Sequence, residues 1–276
     1  MRPFLERVAQ RSAALGTHLC LGVDPREEGH RDLSALYRET LELVERAATL
    51  ACCVKPQLAF FELLGAVGLE LLGELIDLSN RIDLPVLLDG KRGDIGSTAR
   101  AYARAWISGS RSGCALTVHP YLGFEALLPF TETAEQQGGA VFALLKTSNP
   151  GNQDLQGQRL NRGGTLADAV AGELARLARA GAPVGAVVGA TLGDELAHWR
   201  EALPEMAFLL PGVGAQGAEV AGLAPAFPSG MAIVPISRAI QYPEGRADLP
   251  ASLLAATRYR DAVEAVARRS APPRAC

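Results

Sequence analysis

The run Asp89-Gly90-Lys91-Arg92-Gly93-Asp94 closes an apolar strand that reads Pro85-Val86-Leu87-Leu88-Asp89. Carboxylate, ammonium and carboxylate within six residues do not serve packing. Side chains alternate across a strand, so Asp89 and Lys91 share one face. Gly90 and Gly93 loosen the turn, which lets Asp94 return toward the same point. The pattern predicts one lysine between two carboxylates at the C-terminal end of a strand, the end at which a barrel enzyme keeps its chemistry.

Other predicted strands end in polar groups too. Strand one ends Leu21-Gly22-Val23-Asp24-Pro25 and strand two ends Val54-Lys55-Pro56-Gln57. In a closed barrel, Lys55 and Lys91 would face Asp24, Asp89 and Asp94 at short range. Opposite charges keep such a lysine protonated. A protonated lysine suits proton donation or oxyanion stabilisation better than Schiff-base formation, which needs a neutral amine. An aspartate held against a substrate carboxylate repels it. Loss of carbon dioxide relieves that repulsion, and the neighbouring lysine can protonate the carbanion. The plain alternative is a rim of ion pairs that neutralise one another. Five charges at three successive strand ends argue against it.

After strand seven, Gly212, Gly214 and Gly217 form a G-x-G-x-x-G string. A dinucleotide site needs an acidic residue about 20 residues further on. That place holds Ser237 and Arg238. The string therefore reads as a barrel phosphate site built by the loops after strands seven and eight. Backbone N–H groups, the Gln216 amide and the Arg238 guanidinium would hold a phosphate dianion. Two tight turns and a surface arginine are the alternative. His119 reads as a hydrogen-bonded rim residue. Ser97 and Thr98 can cap the helix after strand three. Ser148 either meets a substrate or shapes its loop.

Positioning these groups takes eight strands, at Thr17–Val23, 51–55, 85–89, 115–118, 140–145, 184–188, 207–210 and 231–234. Continuous apolar strands separated by amphipathic segments predict a parallel sheet with both faces covered. Eight such units in this length fit a (β/α)8 TIM barrel, an α/β fold, as one domain over 1–276. A doubly wound open sheet competes. Helical spacing marks 33–50, 166–180 and 252–268, and 270–276 reads as a loose tail. The polar connection 147–164 is long enough to be functional.

The 276 residues are 48% hydrophobic, enough for a sizeable core, and the net charge of -3 gives no basic footprint for nucleic acid. No stretch approaches a membrane span, and the N-terminus has no apolar signal core, so a cytoplasmic enzyme is expected. The five cysteines include no C-x-x-C pair, which disfavours zinc or a disulfide framework.

The strings LCLGVDP, VKPQLAFFE, LLDGKRGDIGSTA, TVHPYLG, LLKTSNPG and LPGVGAQG, with Ser237-Arg238, run in order from Leu19 to Arg238. Together they resemble the orotidine 5′-phosphate decarboxylase family, in the subgroup with an Asp-x-Lys-Arg-Gly-Asp-Ile signature. The resemblance implies a barrel without cofactor or metal, active as a homodimer. It implies decarboxylation of orotidine 5′-monophosphate to uridine 5′-monophosphate in pyrimidine biosynthesis. By that resemblance Lys91 is the proton donor to C6 and Asp89 faces the departing carboxylate. Lys55 bridges Asp89 and the ribose, and Asp24 binds a ribose hydroxyl. Asp94 and Thr98 reach the neighbouring subunit's site. Ser148 meets the pyrimidine. Gln216 and Arg238 grip the phosphate, and the glycine loop that contains Gly214 closes over it. The rivals are a magnesium-dependent sugar-phosphate decarboxylase or aldolase, a non-catalytic phosphate-binding barrel and a dinucleotide-dependent oxidoreductase. The first needs a metal-binding carboxylate at strand two, where this chain has Lys55.

Overall fold

The structure is a computed structural model, and it describes residues 2–214 and 219–270. Its eight strands are β1 Leu19–Val23, β2 Cys53–Pro56, β3 Leu87–Arg92, β4 Ala115–Val118, β5 Ala140–Lys146, β6 Val184–Val188, β7 Ala207–Leu209 and β8 Ala232–Ile236. All neighbouring pairs are parallel, in the order β2-β1-β8-β7-β6-β5-β4-β3. Two isolated bridges, Val54↔Val86 and Gln57↔Asp89, join the ends of that order. The result is the TIM barrel that the strand count predicts, and the open-sheet alternative falls.

Alternation along each strand divides the apolar residues into two sets. Cys20, Cys53, Leu87, Ala115, Phe142, Val187, Leu209 and Ile233 fill the inside of the cylinder. Leu21, Val54, Leu88, Leu116, Val141, Ala186, Phe208 and Val234 face the helical shell. Both faces of every strand are therefore apolar, which explains why the strands read as continuous apolar runs.

The first helix, Phe4–Leu15, has no counterpart in the sequence reading. Phe4 joins the interior set and meets Phe142 edge to face, with ring centroids 6.2 Å apart. This helix plugs the end of the barrel opposite the charged strand ends. The helix Leu33–Ala47 starts at Asp32, whose carboxylate accepts the Ala35 N–H, and buries Leu36, Leu43, Val44 and Ala47. The helix Leu166–Arg179 begins in a capping box between Thr165 and Asp168. The connection 147–164 carries a short helix of its own, Asn152–Leu155.

The closing helix runs Leu249–Ser270, so Ser270 belongs to it and not to a loose tail, and residues 271–276 lie outside the described residues. Cys20, Cys52, Cys53 and Cys114 are buried free thiols. Burial pushes the Cys114 thiol up to about 12 and the Cys53 thiol well above its ordinary value. Among the described residues, no helix is long and apolar enough to cross a membrane.

Candidate active site

The charged cluster is built by an irregularity in β3. Between Leu88 and Arg92 this strand advances four residues while β4 advances two, from Leu116 to Val118. The surplus pushes Asp89, Gly90 and Lys91 into the barrel mouth, the kind of re-aiming that bulges provide near functional sites. Lys91 takes the left-handed conformation, at φ 44°. A non-glycine residue there costs on the order of 1–3 kcal/mol. The two glycines serve another purpose than the loosened turn expected of them. A side chain at Gly93 would begin 2.3 Å from Nε2 of His119, and one at Gly90 would begin 2.6 Å from Leu58.

Four donors surround the Asp89 carboxylate. Lys91 Nζ lies 2.6 Å from Oδ1, and the Thr117 hydroxyl donates to the same oxygen at 2.9 Å. Lys55 Nζ and the Gln57 amide reach Oδ2 at 3.0 and 3.1 Å. Burial opposes ionisation of Asp89, but Lys55 and Lys91 overcome it and hold the carboxyl well below the usual range. Burial likewise opposes the charge on Lys55. Asp89 and Asp24 outweigh that cost and raise its pKa. Lys55 is buried, whereas Lys91 exposes 45% of its side chain to the cleft.

Asp24 completes the wall. Its backbone N–H is held by the Gln241 side chain at 2.7 Å. Burial raises its pKa, and Lys55 and the Ser237 hydroxyl only partly compensate. Its Oδ1 is buried without a hydrogen-bond partner among the described residues. Such an acceptor suits a ligand hydroxyl.

Asp24, Lys55, Asp89, Lys91, Ser148 and Arg238 line one cleft of about 360 Å³. Gly214 and Arg238 line an adjoining cleft of about 440 Å³. Gln216 lies outside the described residues. A larger, mainly apolar cavity of about 730 Å³ opens beside His119 and Leu160 but contains none of the charged cluster.

Asp94 and Thr98 stand apart from this cleft. Asp94 does not return to Lys91: its carboxylate accepts the Ile95 N–H at 2.8 Å. Thr98 does not cap its helix either, because that helix begins at Gly96 and Thr98 sits exposed in its first turn. Among the described residues Lys91 therefore has one carboxylate partner, Asp89.

Sequence reasoning noted Gln57 at a strand end without giving it a role, and missed Thr117 and Gln156. A hydroxyl inside the apolar strand Ala115-Leu116-Thr117-Val118 was the available signal for Thr117. Gln156 accepts the Thr147 N–H at 2.8 Å and donates to its hydroxyl at 2.9 Å, which fixes the loop that carries Ser148. Nothing in the sequence marked that clip.

The chain is similar over most of its length to proteins of known family. An orotidine 5′-phosphate decarboxylase of Deinococcus radiodurans is 48% identical over 267 residues, covering 94% of this chain and 96% of its own. One from Roseiflexus castenholzii is 40% identical over 262 residues, covering 91% and 94%. The solved structure of Leishmania donovani OMP decarboxylase superposes with a TM-score of 0.79 at 33% identity, covering 96% of this chain and 99% of that one. The model of the orotidine 5′-phosphate decarboxylase / HUMPS family matches residues 17–242, and the chain belongs to that family.

Proposed function

We propose that this chain decarboxylates orotidine 5′-monophosphate to uridine 5′-monophosphate, the closing reaction of pyrimidine nucleotide synthesis. The observation that carries the reading is an Asp89 carboxylate clamped between Lys55 and Lys91 at the barrel mouth. A carboxylate saturated by four donors stays charged when a substrate carboxylate is pressed against it. The C6–carboxylate bond breaks, its electron pair stays on C6, and carbon dioxide leaves. Lys91 then passes a proton from Nζ to C6 and is recharged from water. The fixed charges are in place before the reaction, so little reorganisation accompanies it.

Asp24 takes a ribose hydroxyl on its open oxygen, and Ser148 faces the pyrimidine. Arg238 and the turn at Gly212 and Gly214, with Gln216, take the phosphate. Binding at that remote end supports the chemistry at C6 by fixing the ring against the cluster. Asp94 and Thr98 do not line their own cleft; in this reading they serve the site of a second copy, and the active form is a homodimer. A single cytoplasmic barrel domain completes the reading. The mechanism draws on no metal or cofactor.

Loss of orotidine 5′-monophosphate absorbance, followed with purified protein after exhaustive chelation, tests the proposal. Turnover that survives chelation supports it. Turnover restored only by magnesium favours the sugar-phosphate type of chemistry. Tight binding of uridine 5′-monophosphate without turnover favours a binding barrel.

A further inference from the structure

Arg26 borders the substrate cleft, and the reading given so far leaves it without a role. It lines the cleft that holds Asp24, Lys55, Asp89 and Lys91, and also the adjoining one that holds Gly214. Arg238 is the other arginine that lines both. Neither guanidinium forms an ion pair with a described residue. Nε of Arg26 is buried without a hydrogen-bond partner among them. Glu28 borders the outer cleft, but it is exposed, and solvent screens it.

The side chain is held ready rather than free. Its guanidinium carbon lies 4.5 Å from the centre of the Phe60 ring, a cation–π contact that limits its movement. Its backbone N–H donates to the Tyr242 hydroxyl at 2.8 Å. The Tyr242 N–H in turn donates to the Arg238 carbonyl at 2.9 Å. One tyrosine therefore ties together the backbones that carry the two arginines. His30 steadies that tyrosine: its Nε2 lies 3.2 Å from the hydroxyl, and its Nδ1 lies 2.8 Å from Glu39.

Asp24 and Asp89 line the same cleft, and Arg26 acts on the Asp24 charge, but neither carboxylate forms an ion pair with Arg26 or Arg238, and two guanidinium groups at one cleft repel each other. Holding both there suits a ligand with two negative charges, which a phosphate monoester carries near neutral pH. A guanidinium offers paired donors in a fixed fork that matches phosphate oxygens.

We propose that Arg26 is the second cation of the phosphate subsite and closes on the 5′-phosphate opposite Arg238. The assignment rests on the nucleotide reading above. It makes the segment after β1 recognise two adjoining parts of one ligand, the ribose through Asp24 and the phosphate through Arg26.

Equilibrium binding of uridine 5′-monophosphate and of uridine, to the unaltered protein and to Arg26→Ala and Arg26→Lys, tests it. The unaltered protein should prefer the nucleotide. Arg26→Ala should weaken nucleotide binding by about 10- to 100-fold, as loss of charge-assisted hydrogen bonds predicts, and leave uridine binding within about twofold. Arg26→Lys, which keeps the charge and loses the fork, should recover part of the loss and covers the case in which the alanine variant folds poorly. Equal weakening of both ligands would overturn the proposal and make Arg26 a support for Asp24. Unchanged nucleotide binding would also overturn it. No preference for the nucleotide in the unaltered protein would instead remove the nucleotide reading on which it stands.

Discussion

The backbone N–H of Lys91 donates to the Thr117 hydroxyl at 2.9 Å, and that hydroxyl donates to Asp89 at 2.9 Å. One side chain of β4 thus fixes the backbone of the lysine and the carboxylate it pairs with. This contact also steadies the left-handed conformation of Lys91. Thr117→Val keeps the shape and removes both bonds. It should lower kcat by about 10- to 100-fold with little change in KM, at a cost of about 1–3 kcal/mol for the unpaired buried groups. Steady-state kinetics with thermal unfolding would check this. An unchanged kcat would show that the β3 irregularity holds Lys91 without help.

Lys91 and Arg238 should divide the kinetics between them. Lys91→Ala removes the proposed proton donor and should lower kcat by about 10³-fold or more, with binding of uridine 5′-monophosphate retained. Arg238→Ala should act mainly on KM, by about 10- to 100-fold. Near-normal turnover in the first variant would take Lys91 out of the mechanism.

Asp24 should carry a stability cost that depends on pH. Burial raises its folded-state pKa above the ordinary value near 3.9. Between that value and the raised one, the folded chain binds more protons than the unfolded chain. Stability therefore falls as pH rises through this window. Asp24→Asn should match the unaltered protein below about pH 4 and exceed it in Tm near neutrality, while losing activity. Asp89 behaves oppositely. Its depressed pKa contributes stability that is complete above about pH 4 and is lost as the pH falls through its lower folded value. Unfolding curves at several pH values would separate the two. A lower Tm for Asp24→Asn at neutrality would contradict the dominance of burial.

Asp94 should act across a subunit boundary. Mixing inactive Asp94→Ala with inactive Lys91→Ala and allowing exchange should restore about a quarter of the original activity, because half the dimers are mixed and each has one intact site. A mixture that stays inactive would show that each subunit builds its site alone.

The barrel was legible because each strand is buried on both faces and reads as an unbroken apolar run. The limits of β4 and β6 matched, while β3 ran on to Arg92, because its irregularity lets the ladder resume beyond Asp89. The pairing of Asp89 with Lys91 followed from spacing alone. The separation of Asp94 did not, because nothing in the string distinguishes a turn that folds back from one that continues into the helix at Gly96. Thr117 and Gln156 act through contacts with partners 26 and 9 residues away. Local pattern carries no record of such pairings. The helix Phe4–Leu15 was overlooked because its apolar residues meet a partner more than 130 positions later in the chain.

Seven of the eight joints in the cylinder are laddered, and β2 with β3 is held by two isolated bridges. Lys55 and Gln57 reach Asp89 across that joint, so the polar cluster of the candidate site is also its latch. At this joint the wall is closed partly by the charges that the proposed chemistry would use. Substitutions at Lys55 or Asp89 should therefore loosen the barrel as well as lower turnover, so that the two properties move together.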